Sequence, residues 1–128
     1  DYKTTLVRIS DIVYLESEGE YVRLHLDDRS TITTLFRLKN MEAALPSEMF
    51  MRVHRSYIVN LQRIRNYVKG RVFISDSEYV PIGENYRERS NDTSKLITRI
   101  YNGESPPKSI SSGEIAPFRT DIRPPGNK

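Results

Sequence analysis

The first third of the chain contains strand-like stretches rich in Val, Ile, Leu and Tyr, and one of them alternates apolar and polar residues at the period of a half-buried strand. In residues 20–26, Val22, Leu24 and Leu26 alternate with Tyr21, Arg23 and His25. Shorter extended patterns are found at residues 5–9, 12–16 and 30–34. Asp27, Asp28 and Arg29 form a turn signal between two of these stretches, so the sequence predicts a β-hairpin there.

The period changes to that of a helix between residues 35 and 45, and Pro46 ends the run. The apolar positions at helical spacing are Leu35, Leu38, Met41 and Leu45, with Glu42 an alternative to Met41. Extended patterns return at residues 50–59, 63–68, 71–74 and 78–82. Short, evenly spaced strands with one small helix favour an antiparallel, mostly β domain over repeated β-α-β units.

The character of the chain changes after Gly83. Residues 91–101 are compatible with a short helix whose apolar side carries Leu96, Ile97, Ile100 and Tyr101. Residues 102–128 hold five of the seven prolines and three of the six glycines, with few large apolar side chains. We therefore expect one domain over residues 1–90, a possible helix over 91–101 and a disordered tail over 102–128.

The amino-acid composition excludes several classes of function for this chain. The chain has 128 residues, of which 37% are hydrophobic and 29% charged, and it has no cysteine. Disulfide frameworks, thiolate nucleophiles and sulfur-ligated zinc sites are thereby excluded. No stretch has the length of a membrane span or the form of an export signal, so we expect a cytoplasmic protein with no membrane partner. The chain begins at Asp1 without a methionine, which suggests a piece of a longer protein.

Positive charge is concentrated in the second half of the predicted domain. The formal net charge is only +3 for the whole chain, but residues 50–90 contain eight Lys and Arg against four Asp and Glu, a net +4. Catalytic constellations are lacking: the two histidines, His25 and His54, lie in separate predicted strands, and no glycine-rich loop precedes a helix. We therefore expect no enzymatic activity, no metal site and no cofactor.

The stretch FMRVHRSYIVNLQRI, residues 50–64, places cations in an otherwise core-like strand. As one regular strand it would have no apolar face, because Arg52 and Arg55 would point to opposite sides. A bulge or strand end near Val53 resolves the conflict, since it lets Arg55 emerge on a loop while Tyr57 and Ile58 return to the core. An arginine held in this way can bind guanine or phosphate through its planar fork of donors.

Four stretches together resemble the LytTR family of DNA-binding domains, which are output modules of many bacterial response regulators. They are residues 9–26 (ISDIVYLESEGEYVRLHL), the short helix ending at Leu45-Pro46, residues 50–64, and residues 80–89 (VPIGENYRER). The resemblance implies a mostly β fold, an elongated stack of short antiparallel sheets with one or two small helices. It also implies DNA contact through three loops that enter successive major grooves, rather than through a recognition helix.

The resemblance places these loops at residues 17–21 (loop 1), at the turn that begins with Arg55 (loop 2) and at residues 83–87 (loop 3). It implies that DNA is contacted by Glu20, Tyr21, Arg55, Asn85, Arg87 and Arg89. It implies structural support of the site by His54, Ser56 and Asn60, whose side chains can satisfy backbone groups at the turn. Loop 1 is acidic and loop 3 carries Glu84, which departs from a basic DNA-binding surface.

The partners implied by the resemblance are double-stranded DNA with direct-repeat sites, a second copy of the chain on that DNA, and an upstream receiver domain of a two-component system. An alternative from another class is a β-rich protein-interaction module that uses exposed strand edges and the apolar side of residues 96–101. DNA binding should weaken steeply with salt, whereas an apolar protein interface should respond little.

Overall fold

The computed structural model describes residues 2–68, 70–87 and 115–121. The strands are β1 (Tyr2–Arg8), β2 (Ile12–Glu18), β3 (Tyr21–Leu26), β4 (Thr31–Thr34), β5 (Phe50–His54), β6 (Tyr57–Asn60), β7 (Asn66–Val68), β8 (Arg71–Phe73), β9 (Tyr79–Pro81) and β10 (Ile115–Asp121). One α-helix, α1, spans Leu38–Ala44, and single 3-10 turns lie at Ile9–Asp11, Leu61–Arg63 and Glu84–Tyr86. The predicted mostly β class with antiparallel sheets and a small helix is confirmed.

The strands form two antiparallel sheets. One has seven strands in the order β1-β10-β4-β3-β2-β6-β5, and the other has three in the order β7-β8-β9. The larger sheet exceeds the short sheets expected from the resemblance. The predicted hairpin at Asp27 to Arg29 is present, with β3 paired to β4. The helix begins at Leu38, later than predicted, because the backbone at Arg37 is extended. Leu35 and Phe36 therefore precede the helix, and each has 39% of its surface exposed.

A first apolar core lies between the seven-stranded sheet and α1. Its fully buried members include Val22 and Leu24 of β3, Ile12 and Leu15 of β2, Met41 of α1, and Met49. Alternation along β3 puts one side of that strand into this core, as the sequence pattern predicts. In β2 the two core residues are three positions apart, because its pairing with β3 is irregular between Ile12 and Tyr14.

A second core joins the β5–β6 hairpin to the three-stranded sheet. Val59 packs there with Val72 and Val80, while its neighbour Ile58 packs in the first core. Consecutive residues of a strand point to opposite sides, so β6 is buried on both faces. This double burial explains why the apolar residues Ile58 and Val59 are consecutive rather than alternating with polar ones.

A strand in the C-terminal region differs from the predicted disorder of residues 102–128. Ile115–Asp121 pairs antiparallel with β1 along its whole length, from Tyr2 opposite Asp121 to Arg8 opposite Ile115. The pairing arises because β1 has a free ladder of backbone donors and acceptors that another extended segment can satisfy. The other tail residues and the predicted helix at 91–101 lie outside the described residues.

Candidate nucleic-acid interface

Loop 2 is a tight turn of Arg55 and Ser56 between β5 and β6. The pairing of the two strands shifts between Arg52 and His54, so that Val53 is an extra, bulged residue. Val53 is 1% exposed and belongs to the second core, whereas Arg55 is exposed. The predicted bulge is confirmed, and it is the feature that lets a core-forming strand present a cation to solvent.

The side chain of Arg52 stabilises this turn through hydrogen bonds to its backbone. Its Nε donates to the carbonyl oxygen of His54 at 2.8 Å, and its Nη2 donates to that of Arg55 at 2.5 Å. The third contact is to the Glu42 carboxylate of α1, at 3.1 Å from Nη1. With 13% of its side chain exposed, Arg52 is engaged inward and is not a DNA-reading group. Sequence reasoning assigned it no role, although its position between the apolar residues Met51 and Val53 was a signal that it is held within the fold.

His54 and Asn60 bond to the backbone on either side of the turn. The amide of Ser56 donates to Nδ1 of His54 at 3.0 Å. The buried Asn60 donates to the carbonyl of Ile12 at 2.8 Å and accepts from the amide of Gln62 at 2.9 Å. Burial, together with the positive charges of Arg55 and Arg52, holds the pKa of His54 below its ordinary value. The neutral ring is the form whose Nδ1 can accept the Ser56 hydrogen bond.

Loop 1 connects β2 to β3 and is tied to loop 2. The amide of Ser17 donates to the carbonyl of Ser56 at 2.9 Å. Ser56 thus uses its backbone carbonyl toward loop 1 and its backbone amide toward His54. Gly19 has a φ of 61°, a left-handed conformation that glycine adopts without steric cost. Beyond it, Glu20 is exposed and Tyr21 is half-buried. Loop 1 therefore displays one carboxylate and one phenol at its tip.

Two of the carboxylates around loop 1 have partners within the protein. Glu18 forms an ion pair with Arg23 across the hairpin. Glu16 lies 3.0 Å from Nε2 of His25 and accepts from the Tyr57 hydroxyl at 3.3 Å. Burial and the Glu16 carboxylate raise the pKa of Tyr57, so the hydroxyl stays protonated and can donate. Of the acidic residues at loop 1, Glu18 is thus the one whose charge an arginine offsets.

Tyr57 was predicted to lie in the core, and it is half-buried instead. Its ring packs against the second core and lies 5.4 Å from the His54 ring, centroid to centroid. Ile58, predicted beside it, is buried at 1% exposure. The difference arises because the Tyr57 hydroxyl reaches out to Glu16 at the edge of the hairpin.

Loop 3 is fastened to the same hairpin. The amide of Gly83 donates to the carbonyl of the bulged Val53 at 2.8 Å, and a 3-10 turn then spans Glu84–Tyr86. A Cβ on Gly83 would lie 3.3 Å from the Tyr86 ring and 3.4 Å from the His54 ring, so a larger residue would push loop 3 away. The bulge therefore fixes both the outward position of Arg55 and the attachment of loop 3.

Loops 2 and 3 form a shallow cleft of about 220 Å³ that is lined by His54, Arg55 and residues 83–86. Arg55 and Asn85 are thus brought to one surface, and both are exposed. Arg87 is also exposed, at the end of the turn that follows. Arg89 lies outside the described residues. Neither an ion pair nor a hydrogen bond engages the Arg55 guanidinium within residues 2–68 and 70–87.

Two properties of the described residues bear on other classes of function. Within residues 2–68 and 70–87 no three His, Asp or Glu side chains lie close enough together to hold a metal ion. In the same part of the chain, no helix has the length and hydropathy of a membrane span.

Comparison with known proteins gives concordant matches. The LytTr DNA-binding domain family matches residues 2–93. The CO-responsive transcriptional regulator RcoM of Rhodospirillum rubrum is 36% identical, over 62% of this chain and 36% of that protein. The sensory transduction protein LytT of Oceanobacillus iheyensis is 34% identical, over 51% of this chain and 26% of that protein. The chain thus spans between about a quarter and a third of the length of these relatives.

A solved structure shares the fold. The LytTr DNA-binding domain of a putative methyl-accepting/DNA response regulator from Bacillus cereus superposes with a TM-score of 0.60 at 25% identity. The superposition covers 67% of this chain and 83% of that domain.

Proposed function

Because the chain belongs to the LytTr DNA-binding domain family, we propose that it binds double-stranded DNA sequence-specifically by inserting its three loops into the major groove. It acts as the DNA-binding part of a bacterial transcription regulator. The observation that carries the proposal is the geometry of loop 2, where an unpaired and exposed arginine is carried by a turn that internal hydrogen bonds hold in place.

Arg55 is the principal base-reading residue. A bidentate guanidinium contact to O6 and N7 of guanine discriminates against other bases by about 1–3 kcal/mol. Such a contact is strongest when the side chain is already placed, because less conformational entropy is lost on binding. The bonds from Arg52, and from Ser56 to His54, supply that placement at the backbone.

Loops 1 and 3 add contacts on either side of loop 2. Asn85 carries the amide that suits N6 and N7 of adenine, and Glu20 can accept from N4 of cytosine. Tyr21 and Arg87 contact the DNA backbone in this proposal, and Arg89 is included on the strength of the family resemblance alone. The attachment of both loops to the β5–β6 hairpin supports a single binding surface.

The rest of the regulator lies in parts that this chain does not include. The chain covers only a fraction of its relatives, and one relative is named a sensory transduction protein. We propose an upstream receiver domain, control by phosphorylation, and a cytoplasmic location. Two copies would bind direct repeats, with half-sites about 10.5 or 21 base pairs apart if both lie on one side of the duplex.

No catalytic step belongs to this proposal, since the family is one of DNA-binding domains rather than of enzymes. The haem named for two further relatives, CO-sensing regulators RcoM 1 and RcoM 2 of Paraburkholderia xenovorans, is a property of those proteins.

Selection of bound duplexes from a random DNA pool tests the proposal. We expect enrichment of one motif, and a log-log plot of affinity against salt with a slope of about −0.9 for each phosphate contacted. Enrichment of no motif would overturn sequence-specific binding. Binding that ignores salt would instead favour the protein-interaction module.

A further inference from the structure

Two further clefts adjoin loop 1 at the connection between β4 and α1. Their volumes are about 350 and 340 Å³, and both are bordered by Glu20, Phe36 and Arg37. One of them also includes Gly19 and Lys39. The connection between β4 and α1 therefore lies directly beside the tip of loop 1, although the sequence resemblance assigned it no function.

Two cations line this surface. Arg37 and Lys39 are both exposed, and neither side chain has a hydrogen-bond or ion-pair partner within residues 2–68 and 70–87. The situation differs at Arg52, Arg63 and Arg23, which are engaged with carboxylates or carbonyl groups. Arg37 and Lys39 are accordingly available to an anion outside the protein.

These two cations are poorly placed for the stability of α1. Arg37 caps its N-terminus without a side-chain hydrogen bond, Lys39 lies in its first turn, and no acidic residue is present there. Positive charge near the N-terminus of a helix is unfavourable, since the helix dipole is positive at that end. A role in folding therefore does not explain them, and a role in contacting an anion does.

We propose that Arg37 and Lys39 bind DNA backbone phosphates beside loop 1, so that the DNA-contacting surface extends from the three loops onto the β4–α1 connection. The partner is duplex DNA because the cations share a surface with loop 1, and two separate lysine and arginine side chains suit successive phosphates. The pairing of Glu18 with Arg23 reduces the negative charge beside these cations. The proposal rests on the proposed function.

Salt titrations of the 128-residue chain with a pool of random-sequence DNA duplexes test it, because phosphate contacts do not depend on sequence. The variants are Arg37→Gln and Lys39→Gln. The control is Arg8→Gln, which removes one exposed charge from the end of β1 distant from the β4–α1 connection. Thermal unfolding of each variant reports whether the fold is retained.

We expect each cleft variant to make the log-log salt slope shallower by about 0.9 and to weaken all sequences by the same factor. The control should change the slope little. A slope equal to the control's for both cleft variants would overturn the inference while leaving the three loops as the binding surface. Loss of preference at one base position would also overturn it, since that marks a base contact. Failure of the unmodified chain to bind any duplex would instead refute the proposed function.

Discussion

The guanidinium of Arg52 donates a hydrogen bond to the carbonyl oxygen of Arg55, at 2.5 Å. One arginine thus holds the backbone that presents another. The first is almost enclosed, with 13% of its side chain exposed, and the second is open to solvent. Arg52 and Arg55 therefore have different roles although they lie only three positions apart in the sequence. We expect their substitutions to have different effects.

Replacing Arg55 should affect binding and not folding. Arg55→Ala should weaken binding to the selected site by about 1–3 kcal/mol and relax the preference at one base pair, because the bidentate contact is lost. Arg55→Lys keeps the charge without the planar fork, and should restore affinity for random DNA but not the base preference. Titration against the site and its single-base variants gives both quantities. A uniform loss over all sequences would make Arg55 a phosphate contact.

Replacing Arg52 should affect both folding and binding. Arg52→Met keeps the aliphatic length but leaves two carbonyl groups of the turn without their charged donor, at a cost of about 1.5–3 kcal/mol in the free energy of unfolding. Affinity for the site should fall as well, since the turn is no longer fixed. Glu42→Gln is the matched control, because it removes the charge of the half-exposed partner of Arg52 while leaving both carbonyl contacts of the turn, and it should cost less than about 1 kcal/mol. Equal stability of Arg52→Met and the unmodified chain would refute the role.

Acidification should weaken the turn through His54. Its pKa is lowered in the folded protein from an ordinary value of 6.5, so below that value the unfolded chain binds more protons than the folded one. The contribution of His54 to stability is therefore complete above pH 6.5 and is lost as the pH falls through its folded pKa. Chemical denaturation at several pH values should show this decline. His54→Asn, which can accept from the Ser56 amide but does not titrate, should show a smaller one.

Asn60 should be structural. Asn60→Ala removes the partner of the buried Ile12 carbonyl and is expected to cost about 1–3 kcal/mol in the free energy of unfolding. Asn60→Asp retains the acceptor for Gln62 but buries a carboxylate, and should cost at least as much. Denaturation of both variants measures this. Weaker DNA binding with unchanged stability would place Asn60 among the contacting residues instead.

Removal of the C-terminal region should destabilise β1. Deleting residues 102–128 takes away β10, the strand that pairs with β1, and with it several backbone hydrogen bonds worth about 0.5–1.5 kcal/mol each. We expect a lower melting temperature and faster amide exchange in β1. Deleting residues 122–128 alone keeps β10 and should change neither. An unaltered melting temperature after the longer deletion would show that β10 adds nothing to the fold.

The regular part of the fold could be predicted because it follows from local patterns. Strict alternation in residues 20–26 places β3, and the conflict of faces around Arg52 indicated the bulge at Val53. The attachment of loop 3 to Val53 could not be predicted, because that hydrogen bond joins backbone groups and depends on no side-chain type. The strand at Ile115–Asp121 was missed since its surroundings are rich in proline and glycine, and the average composition hid its extended pattern.

In the candidate site, too, some features follow from the local sequence and others depend on the three-dimensional structure. The exposed position of Arg55 could be inferred from its place in the stretch, whereas the inward role of Arg52 depends on where two carbonyl oxygens lie in three dimensions. Likewise, an acidic sequence at loop 1 does not reveal that Glu18 is paired with Arg23 across the hairpin. Charge read from a sequence is formal charge, and only the fold decides how much of it faces a partner.

The burial of β6 on both faces also determines how the molecule can open. Because Ile58 belongs to one core and Val59 to the other, neither core can separate locally without breaking this strand. Its amides should therefore exchange with solvent deuterium at the slowest rate in the domain, and only through whole-domain unfolding. The turn that carries Arg55 adjoins this most slowly opening segment, so the position of that arginine should persist as long as the folded domain itself.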